Sequence, residues 1–231
     1  MGNRLAQFAP TIYAAEQPLT VAGVGFPTRM TVIALPGGAL MLHSPIAIDE
    51  RLADEIAALG EVRYIVAPNA LHHLFVAAAV ARYPAAELWA AGRLASKKPR
   101  LQIVHRLDRA LPATWAETLQ TLPIRGAETI DETLFLHRPS RTLVATDLVM
   151  NMREYPTRRS RLFFKLVGTY RRLAVSRLWR LYTTDKRALR ASRAAVLELD
   201  FDRLLMAHGE GIESGAKSSL SAAFGFDHRS G

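Results

Sequence analysis

The chain has 231 residues, of which 49% are apolar and 22% charged, and its formal net charge is +9. That composition buries a core and excludes wholesale disorder. The absence of cysteine excludes disulfides, thiolate metal ligands and a cysteine nucleophile, so any metal must be held by His, Asp, Glu or water.

The predicted elements begin with strands at residues 11–15, 30–35 and 39–43, the last two joined through Gly37-Gly38, whose positive-φ positions suit a hairpin turn. Asp49 is placed to cap a helix with Leu52, Ile56 and Leu59 on its apolar face, and Gly60 to end it. A strand at 62–66 leads into Ala67-Pro68-Asn69-Ala70-Leu71-His72-His73, and a helix over 74–83, closed by Pro84, leads out. Short strands follow at 87–90 and 102–105, around the basic turn Lys97-Lys98-Pro99-Arg100. The second half opens with strands at 119–124, 133–137 and 142–146, then a basic helical block over 153–195, a strand at 204–207 and a short helix around Leu220.

The charge is concentrated in that block. Residues 153–193 hold 13 Lys/Arg against Glu154 and Asp185, a net of +11, which leaves 9 − 11 = −2 for the rest of the chain. Leu162, Phe163, Leu166 and Val167, then Leu178, Trp179 and Tyr182, recur at helical spacing, so these segments are expected to set apolar sides against the body and basic sides outward. Two readings of the outward face stand: a solvated surface, or contact with nucleic-acid phosphate or an anionic membrane surface. No window approaches the ~20 apolar residues that span a bilayer, and no N-terminal run has signal-peptide length. The expectation is a cytoplasmic protein forming one domain over 1–231.

Three apolar strands run into polar residues of ligand type: 62–66 into His72-His73, 142–146 into Asp147, and 204–207 into His208-Gly209. Strand exits are where α/β folds assemble sites. Each residue also has a plainer reading, since Asp at a strand end commonly caps a turn and a His-His pair is commonly surface decoration.

The order and spacing of these residues resemble the metallo-β-lactamase fold, over roughly residues 8 to 215. That family carries T-H-x-H-x-D-H after a strand, which places Ala67 at the Thr, Pro68 and Ala70 at the first two His, His72 at the Asp and His73 at the last His. Asp147 resembles the family's bridging Asp and His208 its terminal His. The stretch Pro68 to Phe75 is most similar to an uncharacterised bacterial branch with P-N-x-x-H-H-x-F in place of the metal motif. The resemblance implies an α/β (α+β) four-layer αββα sandwich with the 153–195 block as a basic helical insertion, which adds a third reading of that block: a roof over the pocket whose arginines bind an anionic substrate.

It also implies that one metal site is lost, since neither Pro68 nor Ala70 can ligate and residues 126–129 hold no histidine. One site remains possible, with His72, His73, Asp147 and His208 around a single zinc or iron ion. If His72 lies outside the ligand set, three ligands and an open position remain. The implied function is a hydrolase of a small-molecule substrate, anionic on one reading, with Asp147 and His72 in catalytic roles and a metal-activated water as nucleophile. The alternative is a non-enzymatic binding or scaffold module. His43 either approaches the site or is a satisfied strand-end histidine, whereas His105, His137 and His228 read as surface or turn residues. Glu128 and Glu132 either replace the missing mid-chain ligand or are surface carboxylates. Asn69 either orients a ligand or makes the tight turn.

Overall fold

The computed structural model describes residues 4–101, 103 and 105–226. Seven strands form the first sheet: β1 (Ala6–Ala9), β2 (Ile12–Val21), β3 (Val24–Ala34), β4 (Ala39–His43), β5 (Glu61–Ala67), β6 (Glu87–Ala90) and β7 (His105–Arg106). They lie in chain order, antiparallel from β1 to β4 and parallel from β4 to β7. The parallel crossovers carry α1 (Glu50–Ala57), α2 (Val76–Arg82) and α3 (Gly92–Lys97). After α4 (Ala113–Ala116), the second sheet takes β8 (Leu119–Pro123), β9 (Thr133–His137) and β10 (Thr142–Ala145). The chain then forms β11 (Met150–Asn151), α5 (Arg158–Leu166), β12 (Leu173–Ala174), α6 (Leu178–Tyr182) and α7 (Lys186–Glu198). It returns through β13 (Arg203–Met206), parallel to β10, and closes with α8 (Ala216–Phe224). The second sheet is ordered β13-β10-β9-β8, and β11 and β12 pair separately.

The burial pattern explains the arrangement. Ile12, Ile33, Met41 and Val66 of the first sheet meet Phe135, Val144 and Leu205 of the second in one apolar cluster. The other face of the first sheet packs Leu42, Ile65 and Ala67 against Leu52 and Ile56 of α1, Val76 of α2 and Leu94 of α3. The other face of the second packs Leu136, Leu143 and Leu204 against Trp179, Leu189, Val196 and Leu220 from α6, α7 and α8. In β5 a register shift against β4 lets Val62, Ile65 and Ala67 share the helix side, which strict alternation forbids.

Several expectations are refined. The strands expected at 11–15 and 30–35 belong to hairpin arms of 10 and 11 residues. Pro18 and Pro27 hide this extension from a propensity reading, yet they face each other beyond the stretch paired with β1 and β4, where a missing amide costs the sheet little. Gly37 and Gly38 take positive φ, as the turn requires. Asp49 caps α1 by accepting the Leu52 amide, but the helix ends at Ala57, short of Gly60. The helix expected over 74–83 is Val76–Arg82. Of the strand expected at 102–105, His105 lies in β7, while residues 102 and 104 lie outside the described residues, as does His228.

The largest correction concerns α5. Its buried residues are Ser160 and Phe164, with Val167 just after it, whereas Leu162 and Leu166 stay 59% and 64% exposed. The helix is fixed instead from its other side. Ser160 Oγ accepts the Gly25 amide at 3.0 Å, and the Phe164 ring meets Phe26 edge-on, both on the β2–β3 hairpin. Among the described residues no helix is long and apolar enough to cross a membrane.

Candidate metal centre

The turn after β5 is built by Asn69, which is fully buried. Its Oδ1 accepts the backbone amides of Leu71 and His72 at 2.8 and 2.9 Å, closing an Asx turn that aims His72 inward. Its Nδ2 donates to Thr146 Oγ1 at 2.9 Å and to Asp147 Oδ2 at 2.7 Å. The tight turn considered for Asn69 is made, and the same side chain holds Asp147.

Asp147 leaves the end of β10. Glu132 holds this exit from beneath, its two carboxylate oxygens accepting the Thr146 and Asp147 amides at 2.8 and 3.0 Å. On the far side Trp179 Nε1 donates to the Asp147 carbonyl at 2.7 Å. His208 leaves β13, where Arg29, a buried residue of β3, donates to the Met206 carbonyl, to the Gly209 carbonyl at 2.6 Å, and to Glu16. Burial pushes the Arg29 guanidinium down to about 10. Gly209 has φ +94°, and a Cβ there would fall 2.2 Å from the Asn151 carbonyl oxygen, so only glycine lets the chain pass this close.

These supports bring three side chains together. His72 Nε2 lies 3.2 Å from Asp147 Oδ2, and His208 Nε2 lies 3.3 Å from Asp147 Oδ1. The ligand-type atoms of His72, Asp147 and His208 all fall within 4.8 Å of one another. His73 does not join this group; it lines the same cavity, and burial followed by Lys98 and Lys97 lowers its pKa. The outer nitrogen of each converging ring is held: His72 Nδ1 by Ser44 Oγ at 2.6 Å, and His208 Nδ1 by the Pro27 carbonyl at 2.9 Å. Both partners set ring orientation, and the Pro27 carbonyl, which can only accept, also fixes the tautomer of the neutral His208 ring.

The electrostatics are polarised. Burial alone would raise the Asp147 pKa, but His72 and His208 outweigh it and hold the carboxyl well below the usual range. Glu132 moves the opposite way, pushed up to about 7 by burial and by the Asp147 charge. A cavity of about 470 Å³ opens onto the three side chains, and most of its wall is apolar, including Leu19, Val24, Phe26, Phe163 and Phe164.

Other candidates stay outside the group of three. His43 is buried with Nε2 unpartnered, and burial, reinforced by His72, pushes its pKa down to about 3. His137 is buried as well, correcting its assignment to the surface: its nitrogens meet Ser140 Oγ at 2.7 Å and Thr11 Oγ1 at 3.3 Å. His105 stacks on Trp89. Glu128 is an exposed local cap that accepts the Gly126 amide and the Thr184 hydroxyl. Glu132, by contrast, is 1% exposed and is no surface carboxylate. Ser44, Arg29 and Trp179 were missed as site residues. A signal existed for Ser44, which follows directly on a strand exit at His43.

The profile of a protein family described as Domain of unknown function (DUF4336) matches residues 9–163. No curated protein sequence matches the chain. Among solved structures, the metallo-beta-lactamase from Pontibacter korlensis is similar at a TM-score of 0.62 and 11% identity, covering 98% of this chain and 100% of that one. FIM-1 from Pseudomonas aeruginosa in the mono-zinc form aligns at 0.63 and 11%, covering 98% and 96%. The metallo beta lactamase from Erythrobacter litoralis aligns at 0.61 and 14%, covering 96% and 90%. At these identities the likeness speaks for the fold alone. With the profile spanning more than half of the sequence, the chain belongs to the DUF4336 family, and it has the metallo-β-lactamase fold.

Proposed function

We propose that the protein is a metal-dependent hydrolase acting on a small molecule, with one divalent cation, zinc or iron(II), held by His72, Asp147 and His208. The inner edge of His208 carries this reading. Its Nδ1–H is committed to the Pro27 carbonyl, so in the neutral ring Nε2 presents a bare lone pair to Asp147 Oδ1 at 3.3 Å. A lone pair facing a carboxylate is repulsive unless a proton or a cation lies between them. Two imidazoles and one carboxylate suit either ion, and three protein donors are typical of catalytic rather than structural zinc sites. When bound, such a cation supplies Lewis acidity, polarising an acyl or phosphoryl oxygen and acidifying a water.

The chain's own residues prepare the site. The Ser44 hydroxyl can donate to or accept from His72 Nδ1, so it serves either tautomer of that ring. Asn69 fixes one oxygen of Asp147 and leaves the carboxylate able to face both imidazoles. The 153–195 block, as an insertion in the fold, walls the cavity with Phe163, Phe164 and Leu178 and limits water there. His73 borders the substrate space outside the donor set.

The test is metal content of the purified protein by mass spectrometry beside Asp147→Asn and His208→Ala variants, with turnover of ester, thioester, lactone and phosphodiester substrates. We expect about one zinc or iron per chain in the wild type, on the one-site donor set, and loss of both metal and turnover in the variants. Equal metal content in all three proteins removes the reading.

A further inference from the structure

The cavity over His72, Asp147 and His208 has an unusual mouth. Of the large apolar side chains that stay most exposed among the described residues, Val21 at 48%, Leu71 at 40% and Leu74 at 58% belong to its own wall. Leu162 and Leu166 stand one helical turn apart on α5, beside wall residues Phe163 and Phe164. Three such side chains on the cavity wall and two more on the helix that supplies Phe163 and Phe164 are exposed apolar surface of the kind that marks an interaction site. Inside, the apolar wall continues to the polar centre, and Asp147 is the only acidic residue lining the cavity among the described residues.

The same mouth is basic. Lys97 lines it, and Lys98 follows directly in the chain. The Arg159 guanidinium packs on Gly23 at the tip of the β2–β3 hairpin, next to wall residues Val21 and Ala22. Helix α5 also carries Arg158, Arg161 and Lys165 and contains no acid. With its Phe164 side docked, α5 turns Leu162 and Leu166 outward among basic residues, the pairing of apolar and cationic side chains that suits a membrane interface. Anionic headgroups draw in such clusters of basic residues.

We propose that the cavity takes an anionic amphiphile from a membrane surface, its apolar chain between Phe26, Phe163 and Phe164 and its headgroup at the Lys97–Arg159 rim. The volume of about 470 Å³ is within the range of roughly 300–1,000 Å³ for small-molecule sites. A freely soluble polar substrate would use neither the apolar wall nor the exposed leucines. This deepens the proposed function by naming the substrate class of its cavity, and it rests on that reading only for the chemistry, not for the binding.

The experiment pairs two measurements on the full chain. Cosedimentation with vesicles of phosphatidylglycerol and phosphatidylcholine is compared with phosphatidylcholine alone, for wild type and a Leu162→Asp/Leu166→Asp variant. Fluorescence titration with dansylundecanoate reads the cavity, for wild type and a Val21→Asp/Leu74→Asp variant. All four substituted positions are exposed, so folding is spared. We expect binding to anionic vesicles only, weakened about tenfold or more by the α5 pair, and saturable one-to-one probe binding lost in the second variant.

Absence of saturable probe binding overturns the proposal. So does vesicle binding that the leucine changes leave intact, or capture by duplex DNA as tight as by vesicles, since charge alone would then explain the surface. Zinc titration of the same variants separates the two readings. The metal site fails by its own measurement on His208→Ala, whatever the lipid result.

Discussion

The buried imidazole of His43 makes acid stability measurable from one residue. In the folded protein its pKa is pushed down to about 3, first by burial and then by His72, against 6.5 for the free group. Between those values the unfolded chain binds a proton that the folded chain refuses. The contribution to stability is therefore complete above pH 6.5 and is lost as pH falls toward 3. Linkage gives a loss of about 2 kcal/mol between pH 7 and pH 5, and an acid limit of about 5 kcal/mol. His43→Leu removes the titration along with a ring nitrogen that has no partner, so at neutral pH the variant should lie within about 1 kcal/mol of wild type. Urea unfolding followed by circular dichroism across this pH range measures both proteins. A chelator keeps pH-dependent metal release out of the comparison. The two stability curves should converge or cross as pH falls, the wild type dropping faster by about 2 kcal/mol at pH 5. Parallel curves would refute the reasoning, because they would mean that His43 is protonated as readily in the fold as outside it.

Three further outcomes follow from the supports of the site. Glu132→Ala strands two buried amides and should cost about 2–6 kcal/mol, with Glu132→Gln, which keeps one acceptor, falling between; equal unfolding midpoints for Ala and wild type would contradict this. Asn69→Ala removes both the acceptor of the Leu71 and His72 amides and the donor to Asp147. It should bind zinc roughly 10–100-fold more weakly, as calorimetric titration would show; wild-type affinity would contradict this. Gly209→Ala drives a Cβ into the Asn151 carbonyl at positive φ, so a large fall in Tm, or failure to fold, is expected; a Tm within a few degrees of wild type would show that the chain can move apart there.

The parts of the fold governed by local pattern were legible. Strand β9 came out residue for residue, and β5 and β10 nearly so, since each is an apolar run bounded by turn residues. The three strand exits bearing His72, Asp147 and His208 were legible for the same reason. What escaped depends on contacts far apart in sequence. Arg29 meets a carbonyl 177 residues away, and Glu132 supports Asp147 from the residue just before β9. His137 looks like a turn residue until Thr11 covers it. The α5 face was misassigned because helical spacing identifies a stripe but not the side of it that meets the body. Ser160, a polar residue, marks the docked side here, and the leucines face out.

Trp179 ties the basic block to the site through one hydrogen bond, from its indole to the peptide carbonyl of Asp147. A buried indole so near the donor set is an intrinsic optical reporter. Loading the protein with Co²⁺ or Cu²⁺, which quench tryptophan emission at short range, should dim this ring. The molecule thus carries its own gauge of occupancy, with no label attached.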